Sequence, residues 1–312
     1  MSFKISVAMA TYNGEKFIEE QLQSILDQTL PVDEVIICDD RSSDNTAEVV
    51  TSFIRNNKLE DRFKFSVNDK NLGYASNFIN ALRRTTGDYV FFCDQDDIWV
   101  TDRIRKMTDV LEQHPEAELI GSEFEPFKCS DDAPDPQKWE LATFRNDDSL
   151  EKLEFNSENI FIGCQGCTMA MRRSFIDAVD RYWYEGWAHD EFVWKLSLVR
   201  GTLFFYHRVT MKRRLHSSNV TLHKEHENEK RLKYLSDLKK SHCRTRDYIC
   251  DNEFGKDKTK LIDRHIRATQ MRTDLIEKKK LGNFFRLFAY TDCYHKKRSI
   301  PVELMMALRA GA

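Results

Sequence analysis

The sequence lacks the patterns that would assign it to several common classes of protein. Its 312 residues contain no apolar run that approaches the roughly 18 residues of a membrane-spanning helix. The N-terminal residues, Met1-Ser2-Phe3-Lys4-Ile5, show no signal-peptide pattern and lead directly into an apolar segment. We therefore expect a soluble protein of the cytoplasm.

Two phosphate-binding motifs are also absent. The chain has no G-x-x-x-x-G-K-[ST] segment, which argues against a P-loop nucleoside triphosphatase. No G-x-G-x-x-G follows the first apolar segment, which argues against a dinucleotide-binding Rossmann domain. The eight cysteines are scattered, and only Cys164-Gln165-Gly166-Cys167 forms a CxxC pair. Without a second pair at zinc-finger spacing, they indicate reduced structural thiols.

Charge is distributed unevenly along the chain. Residues 223–312 contain 22 lysines and arginines against 13 acidic residues, a net charge of +9. Residues 1–222 contain 26 basic and 38 acidic residues, a net charge of −12. Because the two parts differ so much in charge, we expect a catalytic domain over residues 1–222 and a basic helical extension over residues 223–312.

The first 120 residues alternate between segments typical of strands and of helices. Short apolar runs predict strands, and apolar residues three or four positions apart predict helices. In chain order the predicted elements are strand 5–10, helix 15–28, strand 35–38, helix 46–56, strand 63–67, helix 75–84, strand 88–93 and helix 102–113. This alternation predicts an α/β fold with a mostly parallel sheet covered by helices on both faces.

The middle and the end of the chain show other patterns. Residues 122–149 are polar and contain proline, which indicates a loop or an insertion. Further on, the patterns predict a strand over 160–171, a helix over 189–199 and a strand over 202–206. From about Lys224, long charged helices follow, with Leu232, Leu235 and Leu238 spaced for packing.

Three predicted strands end in polar clusters, which begin at Thr11, Asp39 and Asp94. In a parallel sheet these ends lie side by side, where open α/β sheets bind ligands. Magnesium and manganese ions often bind to one or two carboxylates together with substrate phosphates. The clusters therefore suit a nucleoside-diphosphate ligand with a divalent metal. The alternative for the third cluster is a polar turn that caps a helix through Asp97 or Thr101.

These clusters also carry a family resemblance. The segments are Val7 to Asn13, Asp39 to Asp44, Asn71-Leu72-Gly73 and Gly87 to Trp99. Together they resemble family 2 glycosyltransferases with the GT-A fold, and most of all the bacterial branch of rhamnosyltransferases and other polysaccharide-building enzymes. The resemblance covers residues 4–220.

The resemblance implies roles for single residues on the donor side. Tyr12 and Asp40 match the pair that contacts the nucleotide base. Asp94 and Asp96 match the two ends of the family's D-x-D motif, with Asp96 as direct metal ligand and Asp94 near the ribose and metal. The expected cofactor is Mn²⁺ or Mg²⁺. The expected donor-nucleotide residues are Thr11, Tyr12, Asn13, Asp40, Asn71, Gly73, Asp94 and Gln95.

On the acceptor side, the resemblance places Asp190 as the catalytic base, with His189 and Glu191 beside it. Residues 163–167, which include Gly166, resemble an acceptor-side strand. Arg214 and His216 resemble part of a later loop, 214–219, whose histidine can face the metal or diphosphate. Four rings are candidates for stacking on a sugar, although a single aromatic ring is more often part of a protein core: Trp99, Trp183, Tyr184 and Trp187.

The function implied is inverting, metal-dependent transfer of a sugar from a UDP- or dTDP-sugar. The acceptor is expected to be a glycan or lipid-linked glycan of a bacterial surface polysaccharide. Two alternatives are a non-catalytic nucleotide-sugar-binding scaffold and, with less support, a sugar-phosphate nucleotidyltransferase. A nucleotidyltransferase would need a basic, glycine-rich loop after the first strand. The loop here is short and acidic, with Glu15 following Gly14.

The basic extension contains an aromatic segment, residues 284–290, between two lysine-rich clusters. Such a segment can lie on an anionic membrane surface, which suits an enzyme acting peripherally at the inner face of the plasma membrane. The alternative is a helical extension that packs on the catalytic domain or on another subunit. No nucleic-acid-binding motif accompanies the charge, so we expect no nucleic-acid partner.

Overall fold

The computed structural model describes residues 3–131, 133–136, 144–216 and 228–309. The described residues of Met1–Leu153, Cys164–Ser197 and Thr202–Asn219 form one compact unit. Those of Glu154–Gly163, Leu198–Gly201 and Val220–Ala312 form a second one. The expected boundary between residues 222 and 223 lies outside the described residues.

One mixed sheet organises the first unit. Its strands are β1 Ile5–Thr11, β2 Glu34–Asp39, β3 Phe63–Val67, β4 Tyr89–Cys93, β5 Ile98–Trp99, β6 Leu119–Lys128, β7 Leu150–Lys152, β8 Ala170–Arg172 and β9 Leu203–Leu215. They are arranged in the order β3-β2-β1-β4-β8-β6-β9-β5, and β7 also pairs with β9. The pairs from β3 to β4 are parallel, whereas β8 is antiparallel to both β4 and β6.

Helices alternate with the strands, as the sequence pattern predicts. Those before the second unit's long helices are α1 Ile18–Leu26, α2 Thr46–Asn56, α3 Tyr74–Arg84, α4 Arg103–Gln113, α5 Arg173–Val179 and α6 His189–Arg200. The N-terminal βα alternation is therefore confirmed, although α1 is shorter than predicted at both ends.

Helices cover both faces of the parallel part of the sheet. Successive residues of a strand point to opposite faces. Ile5, Val7 and Met9 of β1 pack in one apolar core with buried residues of α1, α2 and α4. In β4, Phe91 belongs to that core, whereas Phe92 contacts Phe78 of α3, with 5.5 Å between ring centroids. The prediction of a two-sided α/β sheet is confirmed.

Three sequence predictions need correction. The supposed loop over 122–149 begins with most of β6, which extends to Lys128 because it pairs along its whole length with β9. The predicted strand over 160–171 is wrong except at its end, since Gly166–Thr168 is a 3₁₀ turn and β8 begins at Ala170. The strand predicted over 202–206 continues to Leu215.

The second unit contains α7 Asn228–Asp251, α8 Lys256–Glu277, α9 Gly282–Leu287 and α10 Ser299–Arg309, which confirms the predicted helical extension. Leu235 and Leu238 are buried on α7. Glu303 of α10 is fully buried and accepts hydrogen bonds from Arg272 and Arg231, at 2.8 and 2.9 Å. Within the described residues, each helix is too short or too polar to cross a membrane.

Candidate functional site

Polar residues follow the ends of β1, β2 and β4 and lie at one edge of the sheet. β1 runs parallel to the other two strands and lies between them, with Thr11 opposite Asp39 and Met9 opposite Cys93. The carboxyl ends of these neighbouring strands therefore meet on one side. The prediction that the three clusters lie side by side is confirmed, and their edge is the usual ligand site of such sheets.

Hydrogen bonds to the segment at the end of β2 hold the loop after β1 in place. Asn13 has a positive φ of 50°, a conformation that asparagine tolerates better than most residues. Its amide oxygen accepts a hydrogen bond from the Ser43 N–H at 2.8 Å, and its own N–H donates to the Ser42 hydroxyl at 2.8 Å. Thr11 is buried and donates its hydroxyl hydrogen to Asp39 Oδ2 at 2.9 Å. Between them, Tyr12 is 49% exposed, so its ring is accessible to a ligand.

Gln95 connects this loop to the acidic cluster. The Tyr12 N–H donates to Gln95 Oε1 at 2.8 Å, and Gln95 Nε2 donates to the Tyr12 carbonyl oxygen at 2.9 Å. A Cβ on Gly14 would lie only 2.3 Å from Gln95 Oε1, so the glycine makes room for this amide. The structure therefore places Gln95 on the Tyr12 backbone, which the sequence pattern did not indicate.

Asp40 organises the turn that contains Asn71 and Gly73. Its Oδ1 accepts from the Leu72 N–H at 2.7 Å and from Asn68 Nδ2 at 2.9 Å, and its Oδ2 accepts from the Gly73 N–H at 2.8 Å. Asn71 Nδ2 donates to the Asp40 carbonyl oxygen at 3.1 Å. Because a carboxylate oxygen offers about two acceptor positions, Oδ2 keeps one for a ligand. The carboxylate itself is buried.

Three aspartates after β4 concentrate negative charge at the same edge. Burial raises the pKa of Asp94 to about 7, and the charge of Asp96 adds to this effect. Burial and the charges of Asp96 and Asp94 raise the pKa of Asp97 well above its usual value. Asp97 Oδ1 accepts the Arg214 N–H at 3.0 Å, but Oδ2 has no hydrogen-bond partner among the described residues. Asp97 does not cap α4, which begins six residues later.

Arg214, near the end of β9, and His216, just after it, both contact Asp96. His216 Nε2 lies 2.8 Å from Asp96 Oδ2, and Arg214 Nε donates to the Asp96 carbonyl oxygen at 2.9 Å. Arg214 also pairs with Glu20 of α1 and lies over the ring of Phe17, 4.9 Å from its centroid. The remainder of the predicted loop, residues 217–219, lies outside the described residues.

The acidic cluster fits a divalent cation. Oxygen ligands suit Mg²⁺ and Mn²⁺, and a cation would compensate the crowded carboxylates and the unsatisfied Asp97 Oδ2. Ligand atoms of Asp94, Asp97 and Cys167 lie within 4.8 Å of one another. Mg²⁺ and Mn²⁺ prefer oxygen to thiol sulfur, so Cys167 is the least suitable ligand of the three. Asp97 is thus an additional candidate ligand that the sequence pattern left as a capping residue.

Asp190 lies in the first turn of α6, close to this cluster. Its Oδ1 accepts the Glu191 N–H at 2.7 Å. Burial raises the pKa of Asp190 to about 6, and the charge of Glu191 acts in the same direction. The negative charge of Asp190 in turn contributes to the raised pKa of Asp94. An aspartate with this pKa is ionised at neutral pH and still binds a proton readily, as a general base must.

Gly166 and His189 surround Asp190. A Cβ on Gly166 would lie 2.8 Å from His189 Nε2 and 2.9 Å from the Asp190 Cβ, so only glycine allows this approach. His189 stacks on Phe78 with 3.9 Å between centroids, and burial lowers its pKa to about 3. A neutral imidazole in this position supports the first turn of α6 through packing. Glu191 is bound to Lys195 one turn later, at 2.5 Å.

The proposed stacking of tryptophan rings on sugars is wrong for Trp99 and Trp187. Trp99 is 3% exposed, and Arg103 lies over its ring at 4.5 Å. Trp187 is 1% exposed and stacks on Tyr184 at 5.2 Å. Their burial maximises the apolar area removed from water and leaves no ring face for a ligand.

Comparison with known proteins assigns the family. The model of "Glycosyl transferase family 2" matches residues 6–179, more than half of the chain. The chain belongs to this family. The dTDP-rhamnosyl transferase RfbG of Shigella flexneri is 41% identical over 106 residues, which are 33% of this chain and 36% of that protein. The first curated relatives are matched over about two fifths of their own length.

Solved structures support the GT-A fold of this family 2 chain. S. aureus TarS 1-349 in complex with UDP-GlcNAc has a TM-score of 0.67 at 16% identity, covering 98% of this chain and 90% of that one. The mannosyltransferase PcManGT from Pyrobaculum calidifontis, in complex with GDP-Man and Mn²⁺, has a TM-score of 0.54 at 16% identity, covering 100% and 89%. At this identity the likeness concerns the fold alone.

Proposed function

We propose that this chain transfers a sugar from a nucleoside-diphosphate sugar to a hydroxyl group of a glycan or lipid-linked glycan. The observation that carries the proposal is the cluster of Asp94, Asp96 and Asp97 with the half-buried Asp190 nearby, whose charge contributes to the raised pKa of Asp94. A nucleotidyltransferase or simple binding protein has no need for a carboxylate with a raised pKa beside the diphosphate site.

The donor is proposed to be a UDP- or dTDP-sugar that delivers a hexosyl or deoxyhexosyl group. The relative RfbG is named as a dTDP-rhamnosyl transferase, and the TarS complex contains UDP-GlcNAc. Tyr12 would stack on the base, and the free acceptor position of Asp40 Oδ2 would receive a base N–H. Thr11, Asn13, Asn71 and Gly73 shape the two loops that present these groups.

We assign the chemistry to a single displacement that inverts the anomeric carbon. Asp190 would take the proton of the acceptor hydroxyl while the acceptor oxygen bonds to that carbon and the bond to the diphosphate breaks on the opposite face. Asp94, Asp96 and Asp97 would hold a divalent cation, Mn²⁺ or Mg²⁺. When bound, this cation neutralises charge on the leaving diphosphate. Arg214 and His216 would orient Asp96, and Arg214 would add positive charge nearby.

We place the transfer in the synthesis of a bacterial surface polysaccharide, in the cytoplasm at the inner face of the plasma membrane. Residues 1–222 would carry the catalytic groups, and residues 223–312 would serve as the extension.

The test combines donor binding with transfer. Thermal unfolding is measured with UDP- and dTDP-sugars, with and without Mn²⁺ or Mg²⁺, because a bound ligand stabilises the native state. We expect a metal-dependent rise in Tm for one donor class, lost in Asp96→Ala and retained in the surface control Asp257→Ala. Asp190→Asn should keep the rise and lose transfer to an acceptor.

Two results would count against this function. Transfer at a near-normal rate by Asp190→Asn would remove Asp190 from the role of base. Donor binding by the wild type without transfer or donor hydrolysis, across a panel of lipid-linked acceptors, would favour a non-catalytic nucleotide-sugar-binding scaffold.

A further inference from the structure

The second unit exposes an apolar stripe along α9 and the residue after it. Leu281, Phe285 and Phe288 are 43%, 74% and 56% exposed. They stand four and three residues apart, and Leu281 and Phe288 at the two ends have helical dihedral angles. Side chains with this spacing project from one face of a helix. The stripe is therefore one continuous apolar surface.

The opposite face of α9 is already buried. Leu287 is fully buried in the apolar core of this unit with Leu275, Ile300 and Ala307, and Phe284 packs against it. A helix that is apolar on both faces needs a second apolar environment besides its own core. Exposed aromatic side chains grouped in this way mark an interaction surface.

Basic residues flank the stripe in the sequence. Residues 274–298 contain seven lysines and arginines against three acidic residues, a net charge of +4. Asp274 forms ion pairs with Lys278 and Lys280, at 3.0 and 2.9 Å. Asp292 is held by Arg264 at 2.7 Å. The remaining basic residues are exposed and form no ion pair within the described part of the chain: Lys279, Arg286, Lys296, Lys297 and Arg298.

We propose that this surface, the α9 stripe with its flanking basic residues, docks on an anionic lipid bilayer. Aromatic and leucine side chains insert at the boundary between head groups and acyl chains, while lysine and arginine bind anionic head groups. Each such basic residue strengthens binding by about fivefold. A second copy of this chain fits less well, because a two-fold contact would bring the same unpaired basic residues against one another.

Docking on a bilayer names the surface that would hold the chain at the membrane where the proposed transfer is placed, but it does not require sugar transfer. A lipid-linked acceptor would be concentrated at the same surface, but the binding itself needs neither donor nor metal. The two proposals can therefore fail separately.

The test is co-sedimentation of the full chain with phosphatidylcholine vesicles, with and without phosphatidylglycerol, at low and high salt. We expect binding only to the anionic vesicles, weakened at high salt because the charges are screened. Phe285→Ser with Phe288→Ser should weaken binding at least tenfold, and Arg286→Glu at least fivefold. The matched controls are Val67→Ser, another exposed apolar residue, and Lys256→Glu, another exposed basic residue.

All variants change exposed side chains, so each should stay folded at the assay temperature and keep the donor-induced shift. The double phenylalanine variant also loses two edge-on ring contacts with Phe284, so its unfolding temperature should fall slightly. Failure of the wild type to bind anionic vesicles at low salt would overturn the proposal. So would equal binding by the double phenylalanine variant. A dimer in solution that this variant dissolves would assign the surface to a second copy instead.

Discussion

Replacing Gly166 with alanine tests whether the first turn of α6 must hold Asp190 in one place. The added Cβ would lie 2.8 Å from His189 Nε2 and 2.9 Å from the Asp190 Cβ, distances that non-bonded atoms do not tolerate. His189 cannot move away freely, because its ring is stacked on Phe78 and meets Phe92 edge-on. The strain must therefore displace the start of α6 or the turn that contains Gly166.

The expected size of the effect follows from this geometry. Overpacking by one methyl group lowers the free energy of unfolding by about 1–3 kcal/mol. A loss of about 2 kcal/mol would lower the Tm by about 4–8 °C. Misplacing a catalytic group by about 1 Å costs about 100-fold in rate. We expect Gly166→Ala to lower kcat by about 10- to 100-fold while the Kd of the donor stays within about twofold, because the nucleotide-side loops are untouched.

The matched control is Gly87→Ala, at the opposite end of β4. A Cβ on Gly87 would lie 2.4 Å from Ser6 Oγ, 2.8 Å from the Ser6 nitrogen and 2.9 Å from the Lys4 carbonyl oxygen, a steric conflict at least as severe and away from the site. It should destabilise the fold and leave kcat per folded molecule unchanged. Transfer rates and donor affinities are measured well below both Tm values. Wild-type kcat in Gly166→Ala, or an equal loss in both variants, would refute the reasoning.

Three further predictions concern other parts of the molecule. Because the pKa of Asp190 is raised to about 6, kcat should fall about tenfold per pH unit below pH 6. The raised pKa also means that ionisation of Asp190 opposes folding. Asp190→Asn should therefore stabilise the chain above pH 6 and lose this advantage towards pH 4. A flat pH–rate profile would contradict the first part, and an equal gain at all pH values the second. Gln95→Ala removes two hydrogen bonds to the Tyr12 backbone, each worth about 0.5–1.5 kcal/mol, and should raise the donor Kd about tenfold in calorimetry, whereas the exposed Gln113→Ala should not. Glu303→Gln leaves Arg272 without its buried counter-ion and should lower the free energy of unfolding of the second unit by about 3–5 kcal/mol in urea; a loss under 1 kcal/mol would show that the ion pair adds little.

Much of the first unit could be predicted because its signals are local. The apolar runs of β1, β2 and β4 are short and continuous, as buried parallel strands require, and each ends in polar residues. Once three parallel strands are expected, their polar ends must share an edge. The same locality explains the errors at β6 and β8, where pairing with β9 and β4, far away in sequence, decides where a strand begins and ends.

The features of the candidate site also fall into those predicted from local sequence and those that depend on tertiary contacts. The amino-acid sequence by itself determined the α/β alternation and the acidic cluster at Asp94 to Asp97, because residue type and spacing carry that information. Asp190 became the candidate base only through the family resemblance. Only the tertiary structure decided that Trp99 is buried, that Gln95 binds the Tyr12 backbone, and that Gly166 leaves room for Asp190. The Gln95–Tyr12 and Gly166–Asp190 contacts join residues 83 and 24 positions apart, and such contacts depend on how the chain is packed rather than on the pattern of neighbouring residues.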